Sequence, residues 1–259
     1  MSFKVVIPAR YASTRLPGKP LLDIAGRPMI QWVIAAASRS HAAEVLVATD
    51  DDRVARSAVN PAEPGRTLAV MTGTEHQSGT DRIAAVASAR GWSKDTIVVN
   101  VQGDEPQLPP VLIDQVAALL EQHADADIAT LCTPITSLQE FLDPNVVKVV
   151  TAGGSVALYF SRAPIPWHRD GALGGLMSQT SILGAQRHLG IYAYRVAALQ
   201  RLTMTAPTDL EVTEKLEQLR ALQAGMKIVV AIAAAPTGIG VDTEHDLERV
   251  RALMKDGLG

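Results

Sequence analysis

The stretch KVVIPARYASTRLPGKPLL, residues 4–22, joins a short apolar run to a loop that carries three cations. The run KVVIPA, residues 4–9, is β-branched and shows no polar alternation, which is typical of a strand buried on both faces of a parallel sheet. Arg10, Arg15 and Lys19 follow it, and no carboxylate lies between the first and the last of them. The first strand of the predicted sheet therefore ends in a concentration of positive charge.

Apolar runs and amphipathic stretches alternate along the first half of the chain. The apolar runs predict further strands over residues 44–50, 67–72 and 95–102. The amphipathic stretches predict helices over residues 27–40, 52–59, 78–92 and 109–124. This alternation predicts an α/β fold with a doubly wound, mostly parallel sheet.

The pattern changes after residue 127, where strand-like runs follow one another without long helices between them. The sequence AGGS, residues 152–155, predicts a hairpin turn within this region. Between Arg162 and His188 the chain is rich in Pro and Gly, and so long an irregular stretch is usually functional or an interaction surface. We expect one domain over residues 1–259, with a β-rich excursion over approximately 127–195.

Composition limits the classes of function. The net charge of −3 argues against general adhesion to nucleic acid or to membranes. The opening residues MSFKVVIPAR predict a strand, so we expect no leader sequence here. The longest nearly uninterrupted apolar run, KIVVAIAAAP, is too short to span a bilayer. The single cysteine, Cys132, excludes an intramolecular disulfide and fits a reduced compartment. We expect a globular protein of the cytoplasm.

The cationic loop is a candidate ligand site because open α/β sheets bind ligands beyond the carboxyl ends of their strands. Pro17 and Gly18 shape a turn in which backbone N–H groups can converge on an anion while the cations neutralise phosphate charge. The loop matches neither G-x-x-x-x-G-K-[ST] nor G-x-G-x-x-G, which argues against ordinary P-loop kinases and dehydrogenases. The alternative interpretation is a solvated basic loop without a ligand.

Two aspartates follow other apolar runs. Asp104 lies in VNVQGDEP, residues 99–106, and Asp242 lies in GIGVDTEHDLERV, residues 238–250. Carboxylates at strand ends can hold Mg²⁺ that is also bound to phosphate oxygens. The alternative is local capping, in which Asp104 stabilises its own turn and Asp242 competes with Thr243 to cap the last helix.

Two further stretches have both a structural and a functional interpretation. In MTGTEHQSGTDR, residues 71–82, Ser78 and Thr80 precede or begin a helix, where they either cap it or contact a nucleotide base. The helix predicted over residues 210–225 places Glu217 away from its apolar stripe, which is typical of a solvated face.

These motifs together carry a family resemblance. The runs IPARYASTRLPGKPL, ATDD, HQSGTDR, VNVQGDEP, DPNVVKVV, ALYFSRAPIP, HLGIYAYR, EKLEQLRAL and TGIGVDTEHDLERV resemble the CMP-Kdo synthetases, the 3-deoxy-manno-octulosonate cytidylyltransferases of Gram-negative bacteria. The opening run alone indicates the broader sugar-nucleotidyltransferase class, whereas the later runs narrow it to this family. The resemblance extends from the first predicted strand to the last helix, and no motif is broken.

The resemblance implies a reaction and its participants. CTP and 3-deoxy-D-manno-octulosonate (Kdo) would give CMP-Kdo and pyrophosphate with Mg²⁺ as the cofactor, for lipopolysaccharide biosynthesis. It also implies a homodimer in which the chain after about residue 127 forms a smaller β-rich dimerisation lobe and a wall of the sugar pocket. Nucleic acid and membranes are not expected partners.

The resemblance also assigns residues to roles. Arg10, Arg15 and Lys19 would hold the triphosphate, and Asp104 and Asp242 would be the magnesium ligands. Arg10, Lys19 and the two aspartates would form the catalytic set. Around the cytosine and ribose would lie Pro8, Ala9, Ser78, Thr80 and Arg82. The sugar pocket would be lined by Gln102, Arg162, His188, Tyr192, Glu217 and Gln218.

Two other functions stay open at this point. A related enzyme would activate a different acidic sugar, such as sialic acid or an amino-Kdo. A protein of another class would be a non-catalytic module that binds a nucleotide without turnover. The charge pattern favours catalysis, because an anionic sugar and a triphosphate repel each other until cations offset their charge. Such a reaction depends on positioning and charge stabilisation and needs no side-chain nucleophile.

Overall fold

The computed structural model describes residues 2–12, 16–60, 63–76, 78–172, 174–175 and 178–256. The strands in these ranges are β1 Phe3–Pro8, β2 Asp23–Ile24, β3 Arg27–Pro28, β4 Glu44–Thr49, β5 Val59–Asn60, β6 Glu63–Thr67, β7 Ala69–Met71, β8 Ile97–Asn100, β9 Ile128–Pro134, β10 Lys148–Ala152, β11 Val156–Ser161, β12 Gln186–Arg195 and β13 Ile228–Ile232. The α-helices are α1 Met29–Ala37, α2 Asp52–Ser57, α3 Gly79–Ala89, α4 Pro110–Gln122, α5 Leu138–Leu142, α6 Val196–Met204, α7 Asp209–Glu214, α8 Gln218–Gln223 and α9 Glu244–Asp256. Short 3₁₀ helices cover Lys19–Leu21 and Arg169–Gly171.

A mixed central sheet organises the molecule. Within the described ranges its nine strands run in the order β10-β11-β13-β9-β12-β8-β1-β4-β7. The neighbours β8, β1, β4 and β7 are parallel, as the strand–helix alternation of the first half predicts. The carboxyl ends of these strands therefore meet at one edge, where ligand sites of α/β proteins form.

The second half of the chain departs from the predicted mostly parallel sheet, since only the pairing of β9 with β13 is parallel among its strands in the described ranges. Strand β12 lies between β8 and β9 and is antiparallel to both, while β10 and β11 form an antiparallel hairpin. Gly153 and Gly154 turn that hairpin with positive φ angles, which confirms the predicted turn. An antiparallel strand needs no helical crossover, which explains why this region lacks the alternation seen before it. Strands β9 and β12 of the predicted excursion thus lie at the centre of the main sheet.

Helices cover both faces of the sheet. Along β1, Val5 and Ile7 point to one side, where they share a buried cluster with Val33 of α1 and with residues of α4. Val6 points to the other side, where it packs with Ile83 of α3 and with residues of α6 and α8. The alternation along one strand therefore joins two separate layers of helices to a single sheet.

A third apolar cluster brings the end of the chain to its beginning. Leu247 and Val250 of α9 pack with Leu16, Ile24 and Met29, which belong to the segment after β1. This packing fixes the start of α9 beside the loop that leaves the first strand. The segment before α9, which includes Asp242, lies there too. None of the helices in the described ranges combines the length and the apolar character needed to cross a bilayer.

The helix predicted over residues 210–225 is two short helices with a break between them. Helix α7 ends at Glu214, Lys215 adopts the left-handed conformation with φ 55°, and α8 starts at Gln218. The apolar periodicity continues through the break, so the sequence pattern alone did not reveal it. The break turns Glu217 away from the solvated face on which a continuous helix would have placed it.

Candidate active site

The loop after β1 turns back on itself and presents Lys19 at the end of the sheet. Gly18 has φ +68°, and its amide donates to the carbonyl of Tyr11 at 3.2 Å. A Cβ at Gly18 would lie 3.2 Å from the Tyr11 ring, so this turn favours glycine for both its backbone conformation and its space. Lys19 then starts a short 3₁₀ helix, Lys19–Leu21.

Strand β8 ends close to β1, and this closeness positions Asp104. A Cβ at Gly103 would lie 3.0 Å from the carbonyl oxygen of Pro8, so only glycine fits without moving the backbone. The carbonyl of Asp104 accepts a hydrogen bond from the amide of Val241 at 2.9 Å. That bond ties the turn after β8 to the segment that carries Asp242.

Lys19, Asp104 and Asp242 converge. The Lys19 Nζ lies 2.6 Å from Asp104 Oδ2 and 3.1 Å from Asp242 Oδ1. The side chain of Lys19 is 13% exposed, whereas those of the two aspartates are 34% and 54% exposed. The ammonium is thus enclosed by its partners while both carboxylates keep a face open to a ligand. Three segments far apart in sequence form one charged cluster, which we call the Lys19 cluster.

Glu105 belongs to the same neighbourhood, although sequence reasoning did not single it out. Burial, and next the negative charge of Asp104, raise the pKa of Glu105 to about 7, with Arg187 and Lys19 acting in the opposite direction. Its place directly after Asp104 in VNVQGDEP was the one available indication. A carboxyl group that gains or loses its proton near neutral pH, that of Glu105, therefore lies beside the Lys19 cluster.

The residues at the end of β1 that were expected to bind the nucleotide lie next to the start of α3. The Arg10 guanidinium donates to the carbonyl oxygens of His76 and Ser78. Burial, and next the nearby charge of Arg82, lower the pKa of Arg10. A Cβ at Gly79 would lie 3.1 Å from the Pro8 ring, which shows how closely the two elements approach.

Ser78 has the capping role that its position allows. Its hydroxyl accepts from the amide of Asp81 at 3.1 Å, and the Asp81 carboxylate accepts from the amide of Ser78 at 2.9 Å. This capping box starts α3. Ala9, also expected beside the nucleotide, is buried at the end of β1, where its amide donates to Ala48 at 2.9 Å. Arg15 lies outside the described residues.

Arg82 does not take the position expected for it beside the cytosine and ribose. Its side chain is 0% exposed, and its guanidinium donates to the Asp50 carboxylate, to Thr72 Oγ1 at 2.5 Å and to the Gly73 carbonyl at 3.2 Å. A buried arginine needs such partners because an unpaired charge in the interior is costly. Arg82 therefore ties α3 to the ends of β4 and β7 and offers no surface to a nucleotide.

A cavity of about 180 Å³ contains four of the residues expected to bind the sugar. Gln102, Tyr192, Glu217 and Gln218 line it together with Thr80 of α3. The Thr80 hydroxyl donates to the Glu217 carboxylate, and burial raises the pKa of Glu217. The break between α7 and α8 thus points a carboxyl group into this cavity, which we call the inner cavity.

Asn100 also lines the inner cavity, and sequence reasoning missed it. The residue is 3% exposed, and its Oδ1 has no hydrogen-bond partner among the described residues. Asn100 ends β8, two residues before Gln102, so it occurs in the same VNVQGDEP run.

A smaller cleft of about 70 Å³ lies beside the inner cavity and contains His188. Gln102 lines both spaces, and the smaller one also includes Glu105, Arg187 and Gly190. Burial lowers the pKa of His188 to about 3, so the imidazole is neutral at physiological pH. We call this space the His188 cleft.

Arg162 is the expected sugar residue that neither space includes among its described lining residues. Its Nε donates to the Glu214 carbonyl at 2.7 Å and its Nη1 to the Pro144 carbonyl at 2.9 Å. Its own carbonyl accepts from the buried ammonium of Lys148 at 2.6 Å. In this structure Arg162 holds the end of β11 to the end of α7.

Two larger grooves lie away from the Lys19 cluster. One, of about 560 Å³, runs between α3 and α6 past His76 and Met204. The other, of about 630 Å³, runs between α1 and the turn before α4 past Trp32 and Pro109. Neither is lined by Lys19, Asp104 or Asp242, so volume alone does not identify the chemically equipped site.

Comparison with known proteins assigns the class. Residues 4–228 match the family model described as Cytidylyltransferase. The fold superposes on a solved structure of a CMP:2-keto-3-deoxy-manno-octonic acid synthetase complexed with CTP, with a TM-score of 0.85, 43% identity and 99% of each chain covered. A 4-diphosphocytidyl-2C-methyl-D-erythritol synthase shares the fold alone, with a TM-score of 0.61 at 14% identity. The protein is therefore a cytidylyltransferase, an enzyme of the nucleotidyltransferase class.

Relatives of higher identity narrow the class to one family. A 3-deoxy-manno-octulosonate cytidylyltransferase of Thioalkalivibrio sulfidiphilus is 53% identical over 255 residues, which cover 98% of this chain and 100% of the relative. The protein of the same name from Aeromonas salmonicida is 54% identical over 258 residues, covering 98% and 99%. The chain belongs to the 3-deoxy-manno-octulosonate cytidylyltransferase family.

Proposed function

We propose that the protein transfers CMP from CTP to the anomeric hydroxyl of Kdo and releases pyrophosphate. The observation that carries this proposal is the convergence of Lys19 with Asp104 and Asp242 at the strand ends, next to a cavity lined by polar side chains. Family membership supports the choice of both substrates, since relatives covering nearly the whole chain carry the corresponding name.

The arrangement of charge suits the meeting of two anions. CTP carries several negative charges and Kdo carries a carboxylate, so their approach is unfavourable in the absence of cations. Lys19 and Arg10 both follow β1, and we propose that both contact the triphosphate. Their positive charges stabilise the negative charge that builds up on the phosphate oxygens during transfer.

The donor set fits magnesium. Among the described residues there is no group of three or more His, Cys, Asp or Glu side chains placed to hold a metal. Asp104 and Asp242 together offer carboxylate oxygens, and Mg²⁺ characteristically takes one or two carboxylates plus substrate phosphates. We therefore propose these two aspartates as its ligands. When bound, the ion would neutralise phosphate charge and lower the pKa of a coordinated hydroxyl.

The reaction forms one phosphorus–oxygen bond, breaks another and removes the proton of the anomeric hydroxyl to solvent. The anomeric oxygen of Kdo attacks the α-phosphorus of CTP, the bond from that phosphorus to the bridging oxygen of pyrophosphate breaks, and the hydroxyl proton is released. Positioning by the two cavities replaces covalent catalysis. Cys132 is no alternative nucleophile, because it is buried and burial raises the pKa of its thiol to about 11.

The proposal also covers the oligomeric state, the compartment and the pathway of the enzyme. We propose that it works as a homodimer in the cytoplasm and supplies activated Kdo to lipopolysaccharide biosynthesis. Support for a dimer comes from apolar side chains exposed on the predicted excursion: Leu158 is 59%, Trp167 41% and Leu183 80% exposed. Exposed apolar side chains within one region of a chain favour an association surface.

The function is tested by pyrophosphate release from CTP, Mg²⁺ and purified protein with different sugars. We expect turnover with Kdo that exceeds turnover with sialic acid and with amino-Kdo. Faster turnover with either of the other sugars would reassign the acceptor. Binding of CTP without turnover under any metal condition would reject the enzyme and favour a nucleotide-binding module.

A further inference from the structure

Thr130 makes an unusual set of contacts beneath the His188 cleft. The residue lies in β9 and is 0% exposed. Its Oγ1 lies 3.0 Å from His188 Nε2, 3.1 Å from the Leu189 carbonyl oxygen and 2.8 Å from the Ile191 carbonyl oxygen. The pairing of β9 with β12 shifts register between Leu189 and Tyr192, and this irregularity directs both carbonyls at one hydroxyl.

Counting protons decides which atom of His188 carries the hydrogen. A threonine hydroxyl has one proton, and carbonyl oxygens can only accept. If that proton went to His188 Nε2, two short oxygen–oxygen contacts would set lone pairs against lone pairs in a buried place. The hydroxyl therefore donates to a carbonyl and accepts from Nε2–H of the imidazole.

The other ring nitrogen is then a hydrogen-bond acceptor. Burial holds the imidazole neutral, so a proton on Nε2 leaves none for Nδ1. Nδ1 makes no hydrogen bond with the described residues, and the ring lines the cleft beside Arg187 and Gln102. The ring orientation is further restricted by Phe160, whose ring centroid lies 4.9 Å away at 81°, and by Tyr192 at 5.3 Å.

We propose that Thr130 is a positioning residue that fixes His188 as the Nε2–H tautomer, so that Nδ1 accepts a hydrogen bond from a hydroxyl group of the sugar. This inference rests on the proposed function for its substrate. A neutral imidazole nitrogen with a free lone pair accepts a hydrogen bond from a hydroxyl group and is repelled by the lone pairs of a carboxylate. His188 therefore contributes to recognition of the polyhydroxylated part of the sugar, and the cations of the site receive its carboxylate.

The first test is the tautomer itself, measured by long-range ¹H–¹⁵N NMR on the protein without substrates. The chain has six histidines, so the His188 signals are assigned with a His188→Asn variant. We expect the Nε2–H pattern in the unmodified protein and in Thr130→Ser, which retains the hydroxyl. Thr130→Val should shift the population toward Nδ1–H. An Nδ1–H pattern in the unmodified protein, or no change in Thr130→Val, would overturn the inference.

The second test compares substrate affinities in the same variants. Loss of the oriented acceptor should raise KM for Kdo in Thr130→Val by about five- to tenfold, the equivalent of one hydrogen bond, with KM for CTP unchanged. Thr130→Ser removes a buried methyl group and so controls for lost stability. An equal effect of both variants, or an effect on CTP instead, would show a merely structural role. If the unmodified protein failed to use Kdo, the proposed function would fall, and the NMR result would still decide the tautomer.

Discussion

At the scale of single residues, Lys19 holds the two aspartates of the Lys19 cluster together. Its ammonium lies within hydrogen-bond distance of Asp104 and Asp242, so two carboxylates remain close together before any substrate arrives. Without that ammonium the carboxylates would repel each other and spread apart. The same charge is then available to a phosphate, which links the ordering of the site to the binding of its ligand.

Asp104→Asn tests the role of the paired carboxylates. The amide keeps the shape and removes the charge, so we expect turnover to fall at least about a hundredfold, in the range found for the loss of one charge-stabilising group. The melting temperature should stay close to that of the unmodified protein. Asp114→Asn on α4, which makes the same chemical change away from the cluster, is the matched control. Near-normal rates in Asp104→Asn would remove this residue from the reaction.

Glu105 should make stability depend on pH. Its folded pKa of about 7 lies above the value of 4.5 for a free carboxyl group, so the folded state binds a proton more tightly than the unfolded state. The contribution of protonated Glu105 to the free energy of unfolding is fully present below the unfolded pKa of 4.5 and is lost as the pH rises through the folded pKa of about 7. At about 1.4 kcal/mol per pKa unit, the loss amounts to about 3 kcal/mol at most.

The measurement is the free energy of unfolding by urea at pH 5 and pH 8 in EDTA, for the unmodified protein and Glu105→Gln. We expect the free energy of unfolding of Glu105→Gln, relative to that of the unmodified protein, to be higher at pH 8 than at pH 5, because glutamine does not titrate. His188 titrates in the opposite sense at acid pH and is present in both proteins, so it cancels in the difference. If the difference in free energy of unfolding between the two proteins did not change with pH, the buried environment assigned to Glu105 would be wrong.

At the scale of elements, the break between α7 and α8 delivers Glu217 to the inner cavity. The helical path is interrupted at Lys215, whose left-handed backbone is unfavourable for most residues and worst for β-branched ones. The break requires no glycine or proline, and this is why periodicity predicted one continuous helix. Contacts from other elements, such as Thr80 with Glu217, stabilise the interruption.

Lys215→Val should damage both stability and sugar binding. We expect the free energy of unfolding to fall by about 1–2 kcal/mol and KM for Kdo to rise, because valine opposes the left-handed conformation and displaces the following residues. Lys215→Gly accepts this conformation and is the matched control, with KM for Kdo unchanged. The side chain is exposed, so loss of its own contacts is a minor factor. Equal behaviour of the two variants would show that the backbone turn does not position Glu217.

The sequence predicted those parts of the site that follow from strand ends and failed on those that depend on distant partners. Lys19 and Asp104 follow the neighbouring parallel strands β1 and β8, so the predicted parallel arrangement brings these two residues together. Asp242 joins them because α9 packs on the segment after β1 and Val241 bonds to the Asp104 carbonyl. Arg82 was expected beside the cytosine and ribose, but Asp50 on another segment pairs with it in the interior. The antiparallel insertion of β12, and with it the contact of Thr130 with His188, depends on pairing that no local pattern encodes.

At the scale of the whole molecule, the proposed dimer can be tested on its exposed apolar residues. Leu183→Glu should shift sedimentation from twice the chain mass of 27.5 kDa to the single-chain mass, because a buried charge opposes association. Leu253→Glu makes the same change at a half-exposed position of α9 and should leave the mass unchanged. A single-chain mass for the unmodified protein, or dissociation by Leu253→Glu instead, would remove the excursion from the interface.

The most direct measurement is a crystal structure of the protein with CTP and Mn²⁺, in which anomalous scattering locates the cation. We expect the cation within about 2.2 Å of carboxylate oxygens of Asp104 and Asp242 and of a phosphate oxygen of CTP. Lys19 Nζ should then lie within hydrogen-bond distance of the same triphosphate. A triphosphate bound in either larger groove, with Lys19 still held between the two aspartates, would contradict the account.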